Sequence, residues 1–196
     1  MTDSEAHLEE QKARLRQEAF SRRAALGPSD RADASKAAAS VFLEGVPLVS
    51  GQVVALYWPI RDEIDCKPLL TRLVDSGQPV CLPVVLGEDM PLELRLWEDG
   101  QPLYPSGFGT LAPSETAPVV VPDIVVIPLL AFDAQGTRLG YGRGYYDRTL
   151  AAMASKPLLV GYAFDAQEVE TIPRLAHDLP LDILVTETGL RRFEDT

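Results

Sequence analysis

Residues 123–153 read DIVVIPLLAFDAQGTRLGYGRGYYDRTLAAM. An apolar, β-rich run ends at Phe132, and a helix-compatible run begins at Tyr145. A strand, a glycine-rich loop and a helix start together form the geometry that presents backbone N–H groups to a phosphate. The alternative is a tight turn with a solvated arginine face. The density of glycines and arginines favours the phosphate-binding loop; they are Gly136, Gly140, Gly142, Gly144, Arg138, Arg143 and Arg148.

This loop matches neither of two common phosphate-binding fingerprints. No Gly-Lys-Ser/Thr follows the glycines, which excludes a Walker A loop. The glycines alternate, and no strand with an acidic partner stands where the dinucleotide fingerprint needs one. The segment therefore predicts an anion-binding loop of another kind.

The sequence on both sides of the loop alternates strand and helix signals. Helices are predicted over 5–26, from Ser29 or Asp30 to Leu43, and over 65–75; strands are predicted over 52–57, 79–85, 92–97, 124–128, 158–162 and 183–186. This alternation predicts an α/β fold, a three-layer sandwich with a mostly parallel central sheet flanked by helices. We expect a single domain over 1–196, with the N-terminal helices 5–43 packed on it. Residues 99–122, rich in Pro, Gly and Ser, predict a long ordered loop.

Composition narrows the class of partner. The chain has 196 residues and a formal net charge of −11, which argues against nucleic acid and anionic membranes as partners. No run is apolar and long enough to span a membrane, and the polar N-terminus is not a signal peptide. Cys66 and Cys81 form no CxxC pair. We expect a cytoplasmic monomer with reduced thiols.

Positive charge is nevertheless concentrated near the start of the chain. In the helix predicted over 5–26, a stripe of Leu8, Leu15, Ala19 and Leu26 would face the core. Lys12, Arg16 and Arg23 lie together on one flank of that stripe. They either point into one groove or extend along the edge of a packed helix. A positive groove in an acidic protein suits a small polyanion.

Four segments match the motifs of one family in order along the chain. They are 12–16 (KARLR), 57–64 (YWPIRDEI), 132–148 (FDAQGTRLGYGRGYYDR) and 177–186 (HDLPLDILVT). On these motifs the chain resembles the 5-formyltetrahydrofolate cyclo-ligase family, also called 5,10-methenyltetrahydrofolate synthetases. One departure is Ala112, where the family often has Glu before a proline, so we assign no site residue to that loop.

The resemblance implies an ATP- and Mg²⁺-dependent ring closure of 5-formyltetrahydrofolate to 5,10-methenyltetrahydrofolate. By matching position, ATP would contact Lys12, Ala13, Arg14, Leu15, Arg16, Arg138, Leu139, Gly140, Tyr141, Gly142, Arg143, Gly144, Tyr145 and Tyr146. The folate would contact Trp58, Glu63, Tyr141, Gly142, Arg143, Gly144 and Tyr145. Lys12 and Arg143 would be catalytic, and Asp147 and Asp178 would hold Mg²⁺.

Each of these residues also has an ordinary structural explanation. Asp147 could pair with a helix dipole, Glu63 could be a surface acid, and Trp58 could be a core aromatic. Two other functions stay open on the sequence alone. One is a folate- or nucleotide-binding relative without turnover, which the Ala112 departure would suit. The other is a sugar-phosphate isomerase, which would need no ATP.

Overall fold

The computed structural model describes residues 3–175 and 178–193, with side chains from His7 onward. Its helices are α1 (Asp3–Ala24), α2 (Pro28–Gly45), α3 (Lys67–Asp75) and α4 (Tyr145–Ala152). Its strands are β1 (Val54–Ala55), β2 (Val80–Val84), β3 (Glu93–Trp97), β4 (Tyr104–Pro105), β5 (Leu111–Ala112), β6 (Ile124–Pro128), β7 (Ala131–Phe132), β8 (Arg138–Leu139), β9 (Leu158–Tyr162), β10 (Ile183–Thr186) and β11 (Gly189–Arg192).

Seven strands form one central sheet in the order β11-β10-β9-β6-β1-β2-β3. The five inner strands are parallel to one another, and both edge strands, β3 and β11, run antiparallel. β1 lies inside the sheet, where Val54 is in register with Val80 on one side and Ile124 on the other. Parallel strands covered on both faces are apolar on both faces, as these are. The predicted α/β fold with a mostly parallel sheet is confirmed.

Apolar side chains alternate between two cores on opposite faces of the sheet. On one face, Leu56 and Val126 pack with Phe42 of α2 and Leu69 of α3. On the other face, Val125, Ile127 and Leu159 pack with Tyr146 and Leu150 of α4. Helices therefore cover both faces, which gives the three layers.

Helix α1 packs away from the sheet, on the short antiparallel hairpin β7–β8. Ala19 contacts the cluster of Leu130, Ala131 and Leu139. The predicted apolar stripe holds in part: Leu15 packs against this cluster beside Ala19, whereas Leu8 is only half-buried and α1 ends at Ala24, before Leu26. Two of the flanking cations, Lys12 and Arg23, are buried instead.

Local pairing accounts for the other departures from prediction. The predicted loop 99–122 contains the β4–β5 hairpin, with a tight turn over Gly107–Gly109. β7, β8 and β11 were not predicted: β7 and β8 have two residues each, and the β11 sequence GLRR has one large apolar residue. Helix α2 is capped by Gly27 rather than by Ser29 or Asp30. Asp65 does support the start of α3, because its carboxylate accepts a hydrogen bond from the Lys67 N–H at 2.9 Å.

Among the described helices, none combines the length and apolar character needed to cross a membrane. Both cysteines are free and buried. Burial raises the pKa of the Cys81 thiol to about 12.

Candidate active site

A cavity of about 550 Å³ lies between α1, the ends of the central strands, the β4–β5 hairpin and the glycine loop. It collects most of the side chains that the sequence marks as functional. The predicted site residues that line it are Lys12, Arg16, Trp58, Glu63, Arg138, Leu139, Gly140, Tyr141, Gly142, Arg143, Gly144, Tyr145, Tyr146, Asp147 and Asp178.

Three predicted residues do not line this cavity: Ala13, Arg14 and Leu15. Arg14 is well exposed and pairs with Glu10 one turn back, with 2.9 Å between Arg14 Nη2 and Glu10 Oε1. On a helix, residues three or four apart share a face, so Lys12 and Arg16 line the cavity while Arg14 does not. The basic contribution of α1 is therefore these two side chains.

Glycines shape the loop over residues 140–144. Gly142 has a φ of +86° and Gly144, the N-cap of α4, has a φ of +64°. Side chains other than glycine rarely adopt this left-handed backbone. At Gly142 a Cβ atom would lie 3.1 Å from Arg16 Cζ, so the absence of a side chain lets the guanidinium pack on the loop. Arg16 Nε in turn donates a hydrogen bond to the Gly140 carbonyl at 3.2 Å.

The end of the cavity around Lys12 and Arg138 is called the basic end here. Its cations pair with acidic side chains. Lys12 Nζ lies 2.5 Å from Asp178 Oδ2, and Lys12 is only 5% exposed. Arg138 donates to the Asp147 carboxylate. Burial lowers the pKa of Arg138, and the charges of Asp147 and Asp178 both oppose that change. Arg138 thus lies within the field of both aspartates, and the basic end is charge-balanced.

The same two aspartates are the expected metal ligands. Within residues 3–175 and 178–193, no three His, Cys, Asp or Glu side chains gather as a metal site. Mg²⁺ is commonly held by one or two carboxylates together with substrate phosphates and waters. The donor set therefore fits an ion that arrives with a polyphosphate, with Asp147, its side chain 40% exposed, at the cavity wall.

A buried carboxylate lies elsewhere in the cavity. Glu63 Oε1 accepts a hydrogen bond from the Tyr141 hydroxyl at 2.6 Å, and Oε2 accepts one from the Ile60 N–H at 2.8 Å. Burial raises the pKa of Glu63, while these hydrogen bonds and the charge of Arg23 lower it. Trp58 lines the same cavity, with Lys67 Nζ 5.4 Å from its ring centroid.

Sequence reasoning missed aromatic residues in the walls. Phe108 at the tip of the β4–β5 hairpin has its ring centroid 4.5 Å from the Arg143 guanidinium and 5.6 Å from the Tyr145 ring. Phe108 has a φ of +62°, an uncommon backbone for an aromatic residue. The glycines on both sides of Phe108 were the available signal. Phe20 and Tyr57 also line the cavity, whereas His177 of the fourth matched segment lies outside the described residues.

The fold and the cavity together define an α/β protein with a site for a small anionic molecule. Its cations lie on the glycine loop and α1, and a fixed carboxylate offers only acceptor atoms. The substrate class of such a site does not follow from the fold alone. The family of the chain follows from its similarity to known proteins.

The family model described as the 5-formyltetrahydrofolate cyclo-ligase family matches residues 8–187. A 5-formyltetrahydrofolate cyclo-ligase from Escherichia coli K12 is 34% identical over 171 residues, which cover 84% of this chain and 94% of the relative. The relative of that name from Haemophilus influenzae is 39% identical over 140 residues, covering 67% of this chain and 74% of the relative. The chain therefore belongs to the 5-formyltetrahydrofolate cyclo-ligase family.

Solved structures agree with this assignment. The NMR structure of the Aquifex aeolicus 5,10-methenyltetrahydrofolate synthetase is 34% identical and superposes with a TM-score of 0.80 over 94% of both chains. A Mycoplasma pneumoniae synthetase structure, 21% identical, superposes with a TM-score of 0.71 over 90% of this chain and 98% of the other. At that identity the second structure supports the fold only.

Proposed function

We propose that this protein catalyses the ATP-dependent cyclisation of 5-formyltetrahydrofolate to 5,10-methenyltetrahydrofolate, releasing ADP and phosphate. The observation that carries the proposal is one cavity that holds both a basic glycine loop and a buried carboxylate. The first suits a polyphosphate, and the second suits a heterocycle with N–H donors. Family membership supplies the substrate that combines the two.

The reaction needs activation of the formyl oxygen, which is a poor leaving group. In the proposed sequence the γ-phosphoryl group leaves ADP and bonds to that oxygen. The N10 lone pair then attacks the formyl carbon, the carbon–oxygen bond breaks as phosphate departs, and N10 loses its proton. Phosphoryl transfer depends on positioning and charge neutralisation more than on a protein nucleophile. Lys12, Arg16 and Arg143 are among the cations that line this cavity and would supply that neutralisation.

Binding of ATP requires the cations of the basic end to change partners. Lys12 pairs with Asp178, and Arg138 pairs with Asp147. A triphosphate would take the cations, and the two carboxylates would then be placed to hold the accompanying Mg²⁺. When bound, the ion would neutralise phosphate charge, and Asp147 and Asp178 would hold it.

Folate recognition is assigned to the buried carboxylate. Glu63 keeps acceptor capacity beyond the bonds from Tyr141 and Ile60, because each carboxylate oxygen has two lone pairs. The amino and ring N–H groups of a pterin are matching donors. Trp58 and Tyr145 offer aromatic faces on which the folate rings can pack.

The direct test is the absorbance of the methenyl product during incubation of purified protein with 5-formyltetrahydrofolate, Mg²⁺ and ATP. We expect growth of the methenyl band only when ATP is present. A matched reaction contains a non-hydrolysable ATP analogue, which allows nucleotide binding without phosphoryl transfer. No product from a folded protein that binds both ligands would favour a non-catalytic relative. Conversion of a sugar phosphate without ATP would favour the isomerase.

A further inference from the structure

One arginine of α1 is buried behind the cavity wall. Arg23 is 1% exposed and does not line the cavity. Its Nη2 atom donates to Asp62 Oδ1 at 2.8 Å and to the Tyr141 hydroxyl oxygen at 2.9 Å. Burial opposes ionisation of Asp62, but the hydrogen bond and charge of Arg23 leave the pKa of that carboxyl below its usual value. The Asp62 carboxylate therefore holds the same Arg23 nitrogen that donates to Tyr141.

The direction of the next hydrogen bond follows from the chemistry of the groups. A guanidinium can only donate, so the Tyr141 oxygen must accept from Arg23. Tyr141 has a single proton, and the Glu63 Oε1 atom lies 2.6 Å away to receive it. Burial and the facing Glu63 carboxylate raise the pKa of Tyr141, so it remains a hydroxyl that can donate.

We propose that Arg23 is a positioning residue for folate recognition, acting through Tyr141 on Glu63. Asp62, Arg23, Tyr141 and Glu63 together form a hydrogen-bonded relay. This inference rests on the proposed function, since it assigns the pterin-binding role to Glu63. The relay orients the Tyr141 proton toward Glu63 and holds that carboxylate as an acceptor for substrate N–H donors.

The rest of the Arg23 guanidinium is held by aromatic packing rather than by hydrogen bonds to the described residues. The Nε and Nη1 atoms of Arg23 are buried and find no hydrogen-bond partner among the described residues. A buried donor left without a partner is destabilising. The guanidinium lies 5.8 Å from the Phe20 ring centroid and 5.7 Å from that of Tyr141, which compensates in part. Both rings line the cavity, so the packing also fixes its wall.

A double-mutant cycle tests the relay through equilibrium binding of 5-formyltetrahydrofolate, measured by calorimetry without ATP. Arg23→Met and Tyr141→Phe are each expected to weaken folate binding roughly 5- to 20-fold, because each removes a charge-assisted hydrogen bond from the relay. The double variant is expected to have the same folate affinity as the single variant with the lower affinity, since both changes break the same relay. ATP binding is expected to be unchanged in Arg23→Met, which separates the relay from the nucleotide loop.

Arg22→Met is the matched control, because Arg22 is the exposed neighbour of Arg23 on α1 and donates to the Glu168 carbonyl. We expect its folate affinity to equal that of the unmodified protein. If the losses of folate affinity in the two single variants multiply in the double variant, the two residues act independently. That result would overturn the relay and assign Arg23 a structural role. Unchanged folate binding in Arg23→Met would overturn it as well.

Two further outcomes keep the relay separate from the proposed function. If Arg23→Met does not fold, Asp62→Ala replaces it in the cycle, because Asp62 holds Arg23 but does not line the cavity. Normal folate affinity in Tyr141→Phe would overturn the relay. If the unmodified chain binds the folate without cyclising it, the proposed function fails and the binding cycle still tests the relay.

Discussion

The two ends of the cavity hold their charges in different ways. At the basic end, Lys12 and Arg138 pair with aspartates that a polyphosphate would have to displace. At the end around Glu63, proposed for the folate and here called the folate end, the carboxylate accepts hydrogen bonds from two donors that need not move, the Tyr141 hydroxyl and the Ile60 N–H. The first end exchanges partners on binding, and the second is preorganised.

This difference separates two ways of building affinity. When ligand binding breaks an existing ion pair, the net free energy of binding is smaller, because the carboxylate that loses its cation needs a new partner. A preorganised acceptor loses little on binding, because its geometry is already fixed. We therefore expect substitutions at the basic end to affect turnover most, and substitutions at the folate end to affect affinity.

The largest expected effect is at Lys12. Lys12→Met is expected to lower kcat/KM for cyclisation about 10²- to 10³-fold, because it removes a buried positive charge from the position proposed for the transferring phosphoryl group. Steady-state absorbance assays give the value. Arg14→Met is the control, since Arg14 lies two residues along α1 on the exposed face. A loss of equal size in Arg14→Met would remove the distinction between the two faces of the helix.

Glu63→Gln should sharpen the contrast between the two ends. An amide has one acceptor oxygen where the carboxylate has two, so one of the donors at Tyr141 and Ile60 loses its acceptor. We expect the KM for the folate to rise about 10- to 50-fold while the KM for ATP changes little. Equal changes in both constants would show that the ends are not independent.

Gly142→Ala tests the shape of the basic end. The left-handed backbone and the Arg16 guanidinium at 3.1 Å both oppose a Cβ atom. We expect a loss of about 1–2 kcal/mol in the free energy of unfolding, measured by denaturant titration, with weaker ATP binding. Gly140→Ala provides the stability control, because a Cβ atom there would meet no heavy atom within 4 Å and the φ of Gly140 is not left-handed. Similar destabilisation in both variants would contradict this account of the loop.

The smallest expected effect is a loss of folate affinity at acidic pH, which forms an acidic limb in the binding profile. Glu63 must be ionised to act as an acceptor only, and burial raises its pKa above the ordinary 4.5. The affinity is therefore expected to be present above that raised pKa and to fall as the pH drops through it. Binding titrations that run from neutral pH down through the acidic range measure the limb. In Tyr141→Phe the limb should move to higher pH, because a hydrogen bond that lowers the Glu63 pKa is lost.

Other titratable groups surround the Glu63 carboxylate, and the acidic limb of folate affinity has to be distinguished from their titration. The titratable and charged groups that interact with Glu63 are Asp62, Arg23, Tyr141, Tyr57, Tyr146 and Cys66. Burial raises the pKa of all three tyrosines and of the Cys66 thiol, so these groups stay neutral across the titration. An acidic limb that persists unchanged in Glu63→Gln would assign it to another group.

The sequence predicted the sheet and the glycine loop well, for physical reasons. Strands covered on both faces are continuous apolar runs, as at 124–128, and glycine is the residue that most readily adopts the positive φ found at Gly142 and Gly144. It predicted less of what depends on distant contacts. Arg23 looks like any cation on a helix flank, and its burial depends on Asp62 and Tyr141, far away in sequence. The hairpin that brings Phe108 to the cavity is too short to leave a pattern.

The pairing of Lys12 with Asp178 also bears on how the protein is made. The two residues are 166 positions apart, yet they meet at one wall of the cavity. During synthesis on the ribosome, which proceeds from the N-terminus, α1 emerges long before its carboxylate partner. A nascent chain therefore carries Lys12 without Asp178 until nearly all of it has been translated. The basic end of the cavity is completed last, so a prematurely terminated chain would lack this pairing.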